Sequence, residues 1–508
     1  MPDATAIRRL LPLTAAFLLI RIASAAVVSQ PGYTDAYYYA DVATRLADGL
    51  GLTADFLWSP IELGRLPVPS HQFWMPMATA LQAAGIWVAG PLLGDFRAAQ
   101  AAIVLVAALV PAATYVSARS LGASDRASIV AAALAGLGGL FAPAWVSLDG
   151  FAPAALIGAL FFLAFGRAAR GDARAGLIAG LLVGLLYLTR AEGALFGVAL
   201  LVLAARRPSR SAGIAGALVA LAIGGAWLLR ERSMGVDPDM LARTALLVRY
   251  EQFFAIAPPT FAAFVAALPE VIAAKASALL TNAATFVFAF SLVLVFPLLR
   301  GVRDLWARAE VWAWASLAAL VFAAQSLVWT LHSTRGSYFH SLGAFFTFGV
   351  AIAVVGGERL LASRRPEIAP AWAWGTIVLV AALSFGALAQ WEASFVGGAR
   401  VRMAAVDAIP PGPFLAIDAA AWRWVSGRTV IVTPSDGIDA VPGAMCASVL
   451  SGARPASLVL EEAHFSAYDA LYRGTSRPPW LAAPIERGTV KIFPISDSFD
   501  VVCGVSDR

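Results

Sequence analysis

The chain has 508 residues, of which 60% are hydrophobic and 14% charged, with a mean hydropathy of +0.75. Soluble domains carry about 25% charged residues, so composition excludes a water-soluble globule. The net charge of +5 does not mark a nucleic-acid binder, because the arginines are dispersed between apolar runs, as in the cytoplasmic loops of a membrane protein.

Apolar runs at 10–28, 100–118, 127–146, 151–166, 175–189, 194–205, 212–229, 276–299, 311–331, 339–356 and 371–391 predict about eleven transmembrane helices. Those at 151–166, 175–189 and 194–205 are short for a bilayer. Arg8 and Arg9 precede the first run. Alternate loops then carry Arg119 and Arg126; Arg167, Arg170 and Arg174; Arg206, Arg207 and Arg210; Arg300, Arg303 and Arg308; Arg359, Arg364 and Arg365. The positive-inside rule therefore places the N-terminus in the cytoplasm, and Asp35 and everything after 391 on the outside. Arg8-Arg9, the apolar core 10–20 and small residues Ala23 and Ala25 also fit a cleavable signal peptide; either version leaves Asp35 outside.

Two outside regions are large. The first, 29–97, opens with Asp35-Ala36-Tyr37-Tyr38-Tyr39, and 35–50 has the look of an amphipathic helix lying in the interface before Gly49 and Gly51 stop it. Prolines and tryptophans around Trp58 and from Pro67 to Pro76 then predict a rigid, kinked stretch. The second, 230–275, holds Arg230, Arg232, Arg243 and Arg249 on the side that is poor in arginine. These anchor to lipid headgroups or bind a phosphate.

The tail from 392 changes character. Short β-type runs at 414–417, 429–432, 457–460 and 490–493, with a helix at 419–425, predict a small extracytoplasmic α/β domain. The domain boundary is thus expected between 1–391 and 392–508. Cys446 and Cys503 both fall in this tail, where the compartment permits a disulfide.

No P-loop, HExxH or CxxC motif is present. His71, His332, His340 and His464 do not fall at metal-ligand spacing, and no metal or other cofactor is indicated. An acid at the rim of a bilayer is a functional-site candidate by default, which singles out Asp35, with an exposed loop acid as the plainer reading. Asp149, at the start of another span, either caps the next helix or positions an acceptor.

The order of these features resembles the GT-C fold glycosyltransferases that use lipid-linked sugars, such as protein mannosyltransferases and aminoarabinose transferases. The likeness rests on Asp35-Ala36-Tyr37-Tyr38-Tyr39-Ala40, on His71-Gln72-Phe73-Trp74-Met75-Pro76, on Gly184 to Gly193 with Leu188-Thr189-Arg190-Ala191-Glu192, and on Ala420 to Arg428. The resemblance implies a GT-C-like membrane domain that takes sugar from a polyprenyl-phosphate donor. Here His71 is followed by Gln72-Phe73 where the family has Pro-Pro, and no Asp-x-Asp or Glu-x-Asp pair stands near Asp35.

Such a transfer needs a base for the acceptor's proton and a cation for the leaving phosphate. Asp35 suits the first role; Arg243, Arg249 and Arg335, with Arg190 behind them, suit the second. Tyr37, Tyr38, His71, Trp74, Glu192 and His340 complete the expected substrate-binding set, with Asp149 as the second catalytic candidate. One base and direct displacement would invert the anomeric centre. The acceptor would be a lipid, a glycan or a protein. The alternatives are a transporter or flippase for a lipid-linked or anionic substrate, which would carry its charges near the midplane, and a ligase for a preassembled glycan.

Overall fold

Eight helices are long and apolar enough to cross a membrane in the computed structural model, which describes residues 4–59, 66–234, 244–257, 259–450 and 454–496. They are Leu10–Val27, Asp95–Ser120, Phe151–Ala168, Arg207–Ser233, Leu268–Ala289, Ala309–Leu327, Thr330–Ser363 and Pro366–Ala408. Shorter apolar helices cover Met77–Leu93, Ala173–Thr189 and Ala191–Ala205. Arg243, Cys503 and the side chain of Cys446 lie outside the described residues.

The chain divides into two compact units. The first comprises the described residues of 4–29, 73–234 and 274–392 and holds the apolar helices. Its exterior is apolar, with Leu92, Phe385 and Leu280 among the most exposed side chains, as lipid contact demands. Inside, small residues bring backbones together. A Cβ on Gly158 would meet the Ala344 carbonyl at 2.0 Å, and one on Gly180 would meet that of Gly216 at 2.1 Å.

The arginine-bearing turns gather at one end of this unit. Arg308 donates to the Ser120 carbonyl (2.9 Å) and pairs with Glu310 (2.6 Å), which sits against Gly166. The Ser124 amide donates to Glu358 (3.1 Å), Arg206 lies over Trp312, and Pro208 touches Gly171. At the other end Arg97 donates to the Ala25 and Val28 carbonyls (2.6 and 3.3 Å), which terminate the first helix.

Three elements differ from the sequence expectation. The run 127–146 is helical only through Leu137, because Gly138 and Gly139 take φ of 85° and 56° and stop it. The run 276–299 breaks between Ala289 and Val295, where Ser291 and Leu292 have positive φ. Region 29–97 contains the helix Met77–Leu93, entered through Pro76 and left at Gly94, with Trp87 and Val88 exposed.

The second unit comprises the described residues of 30–72, 244–273 and 393–496. Strands β1 (Thr53–Ala54) and β2 (Val68–Pro69) form a small antiparallel pair. β3 (Phe414–Ala416), β4 (Val430–Val432), β5 (Ser457–Leu460), β6 (Ile485–Arg487) and β7 (Val490–Pro494) form one sheet in the order β4-β3-β5-β7-β6. β3 runs parallel to β4 and β5, with Leu415 facing Ile431 and Leu458. The helix Ala419–Ser426 crosses from β3 to β4, begun by Asp418, whose carboxylate accepts the Ala421 amide (3.3 Å), and ended at Gly427.

Parts of both large loops join this sheet domain. Leu57 bridges to Ile431 beside β4. Segment Tyr250–Phe254 is held by Ser435, whose amide donates to the Phe254 carbonyl (3.0 Å) and whose hydroxyl donates to that of Glu251 (2.6 Å). The helix Thr34–Ala47 is the one expected after Asp35. It is not two-faced, however: all eight residues from Ala36 to Ala43 are buried, because the sheet domain and the loop around β1 and β2 enclose it.

Candidate functional site

Asp149 lies in residues 138–150 of the first unit, a stretch with little regular structure whose backbone groups need partners from elsewhere. Side chains from four helices supply them. Arg21 donates to the Gly136 carbonyl at the last turn before this stretch. Gln100 Nε2 donates to the carbonyls of Val146 (3.0 Å) and Val28 (2.9 Å), and Gln82 Nε2 to that of Leu148 (3.1 Å). Ser384 Oγ accepts the Gly139 amide (3.0 Å). These contacts fix where Asp149 stands.

The Asp149 carboxylate is 1% exposed. One oxygen accepts the Gly150 amide, and Gly150 is itself the N-cap of Phe151–Ala168, so Asp149 does not cap that helix in the usual way. The other oxygen faces His340 Nδ1 at 3.4 Å. The same nitrogen takes a hydrogen bond from Arg190 Nη1 (3.0 Å). A guanidinium can only donate, so Nδ1 presents its lone pair. Asp149 and His340 therefore turn two acceptors toward each other, an arrangement that suits a proton or a cation between them. Two ligand atoms are fewer than a divalent ion takes, so this pair alone does not make a metal site.

Arg190 begins where Ala173–Thr189 ends, and all of its fork is used. Nε donates to Glu192 and Nη2 to Ser337 (3.2 Å). Ser341 donates to Glu192 (2.6 Å), and Gln325 Nε2 reaches both Ser337 (3.3 Å) and Ser341 (3.2 Å). The Arg190–Glu192 pair is 15% exposed on each side, a half-sheltered ion pair whose charges are satisfied by each other. Phe151 packs on the His340 ring, with centroids 4.2 Å apart.

Asp35 belongs to the second unit, half-buried in the first turn of Thr34–Ala47, where the helix dipole favours a carboxylate. Tyr37, Tyr38 and His71 are 0% exposed there. His71 adopts φ of 60°, unusual for a residue with a side chain, and its amide donates to the Tyr38 hydroxyl (2.6 Å). Burial, partly opposed by Arg402, pushes the Tyr37 phenol up to about 12, so it stays neutral. These three side chains hold the helix that carries Asp35.

The remaining expected residues are dispersed. Arg249 is exposed in the second unit, 3.8 Å from Glu270. Arg335 is exposed in the first unit, in the turn between Ala309–Leu327 and Tyr338–Arg364. Trp74 stacks edge-on against Phe73, whose ring also meets that of His332. Asp149, Arg190, Glu192 and His340 are brought together.

Arg21, Gln82, Gln100 and Ser384 were not singled out by sequence, although Arg21 and both glutamines carried a signal, being polar within apolar stretches. A second network missed by sequence stitches the second unit. Arg402 grips both oxygens of Glu461 (3.0 and 3.1 Å) and meets Asp418 (3.4 Å), while Trp422 donates to Glu461 (2.7 Å). Arg423 pairs with Asp41 (3.2 Å) and Asp55 (3.4 Å).

Comparison with solved structures decides the fold. ArnT from Cupriavidus metallidurans matches in its apo state with a TM-score of 0.57 at 13% identity, over 97% of this chain and 98% of that one. Its structure bound to undecaprenyl phosphate matches with a TM-score of 0.56 at 14% identity, over 98% and 99%. This chain has the GT-C fold. The apo oligosaccharyltransferase of Archaeoglobus fulgidus also matches, with a TM-score of 0.52 at 15% identity over 89% of this chain and 69% of that one. No family model matches the sequence, and no curated protein matches it. The GT-C fold makes the chain a multi-pass helical membrane protein with a sheet-containing C-terminal region.

Proposed function

We propose that this GT-C protein is an inverting glycosyltransferase that moves a sugar from a polyprenyl-phosphate donor to an acceptor outside the bacterial inner membrane. The observation that carries the reading is the end-to-end likeness to a structure that holds undecaprenyl phosphate, covering 98% of this chain. The half-sheltered cluster of Asp149, His340, Arg190 and Glu192 at one end of the helical unit supports it, because a transfer site needs charge away from bulk water.

In this reading Asp35 takes the proton of the acceptor hydroxyl as its oxygen attacks the anomeric carbon. The bond from that carbon to the phosphate oxygen breaks, and polyprenyl phosphate leaves with the electron pair. Arg335 and Arg249 are the proposed partners of the leaving phosphate. Arg190 is committed to Glu192 and His340 and orients His340 and Asp149. The arginine-lined end of the helical unit faces the cytoplasm, and the C-terminal sheet domain lies outside.

The oligosaccharyltransferase likeness keeps a second reading in view, transfer of a preassembled glycan. Purified protein incubated with a panel of polyprenyl-phosphate monosaccharides and with a lipid-linked oligosaccharide separates them. Consumption of a monosaccharide donor supports the first reading, and consumption of the oligosaccharide alone replaces it with the second.

A further inference from the structure

Thr34–Ala47 carries Asp35 in its first turn, yet Tyr33, the residue at its N-cap, supplies no side-chain cap. A helix start without one is prone to fray. The hold comes from the far end of the chain instead. Thr34 donates its hydroxyl to Asp418 Oδ1 (3.2 Å), 384 residues away. Tyr33 packs on Phe395 and Tyr37 on Trp424, with ring centres 5.7 and 6.4 Å apart.

Asp418 is also the N-cap of Ala419–Ser426, and the same Oδ1 accepts the Ala421 amide (3.3 Å). One carboxylate therefore stands at the start of two helices, where both dipoles favour its charge. Its other oxygen meets Arg402 (3.4 Å), and Arg402 is itself fixed by both oxygens of Glu461 (3.0 and 3.1 Å). A cap needs only an acceptor. The ion pair to Arg402 adds what a cap does not use, a fixed place for the carboxylate and hence for Thr34.

We propose that Asp418, locked by Arg402, is the positioning residue for Asp35: through the Thr34 hydroxyl it sets the first turn of the helix and so aims the Asp35 carboxylate. The proposal rests on the reading of Asp35 as the base. A base acts only within hydrogen-bond reach of its proton, and a displacement of about 1 Å can cost about 10²-fold in rate.

The test compares Thr34→Val, which removes the hydroxyl and keeps the shape, with Thr34→Ser, which restores it. Hydrogen exchange of the purified protein in detergent reads the link without any chemistry. The Tyr37 amide closes the first turn on the Tyr33 carbonyl (3.0 Å). Its exchange should rise several-fold in Thr34→Val and in Asp418→Ala, and stay as in wild type in Thr34→Ser. Release of undecaprenyl phosphate from its sugar-linked form reads the consequence. Thr34→Val should lose about tenfold in kcat, the worth of one hydrogen bond, with donor KM and Tm unchanged. Thr34→Ser should recover it. In the Asp35→Asn background Thr34→Val should cost nothing further, because the group it aims is gone. If Asp418→Ala does not fold, Thr34→Val carries the test. Unchanged exchange or kcat in Thr34→Val, or a loss that adds in full to that of Asp35→Asn, would overturn the proposal and leave Asp418 as a cap alone. Near-wild-type turnover by Asp35→Asn would overturn the reading of the base, and this proposal with it.

Discussion

His340 Nδ1 stands 3.4 Å from Asp149 and accepts a hydrogen bond from Arg190 at 3.0 Å, so one ring nitrogen joins a cation and a carboxylate that come from different segments of the chain. The consequence is that Arg190 orients the cluster, and its partner Glu192 balances its charge.

Arg190→Met should destabilise the protein by about 3 kcal/mol, because Glu192 is then left as a half-sheltered, unpaired carboxylate. The double variant Arg190→Met with Glu192→Leu should recover part of that loss. Chemical unfolding of both in detergent measures it. A double variant that is additive would show that the two side chains do not act as a pair.

The Asp41 carboxyl is held above its usual value of 3.8, chiefly by burial, with Arg423 opposing. A raised folded value means that folding favours the protonated acid. Its contribution is full below about 3.8 and is lost as pH rises through the folded value. Asp41→Asn should therefore gain stability relative to wild type on going from acid to neutral pH. Melting curves across pH 3.5 to 7 check the sign, and a variant that loses stability relative to wild type as pH rises would contradict it.

Arg335 and Arg249 should behave as phosphate partners. Replacing either by Lys keeps the charge but loses the planar fork, so donor affinity should fall even for that change. Binding of a polyprenyl-phosphate donor to each variant measures it. Unchanged affinity in the Ala variants of both would leave them as lipid anchors.

A reporter fused after Glu392 should read as extracytoplasmic, and one placed between Arg167 and Arg174 as cytoplasmic. The reason is the positive-inside rule applied to the arginine-bearing turns that the fold gathers at one end. The opposite pattern would invert the proposed orientation.

Much of this architecture could be read from residue pattern. Long apolar runs, the helix after Asp35 and the strands at 414, 430, 457 and 490 each follow from local periodicity. Asp149 stood out as an acid at a span end, Arg190 and Glu192 as part of a family-like motif and His340 as an expected substrate-binding residue, and the structure places the four in one cluster. What could not be read depends on partners far along the chain. The Asp149 turn is held by Arg21, Gln82, Gln100 and Ser384, whose targets are backbone carbonyls and amides that leave no mark in a sequence. The stop at Gly138 was hidden because the apolar run continues past it to Val146. Tyr37 and Tyr38 lie in a stretch that reads as an amphipathic interfacial helix, yet both are fully buried, since the segments that cover them lie elsewhere in the chain.

The central claim is sugar transfer with Asp35 as the base. The most direct measurement is release of polyprenyl phosphate from its sugar-linked form by wild type and by Asp35→Asn, with donor binding measured alongside. The account predicts turnover by the wild type, and a fall of about 10²–10⁴-fold in the variant with binding retained. Near-wild-type turnover by Asp35→Asn would contradict the assignment of the base. Intact donor carried across a vesicle membrane without release of polyprenyl phosphate would contradict the transferase reading itself.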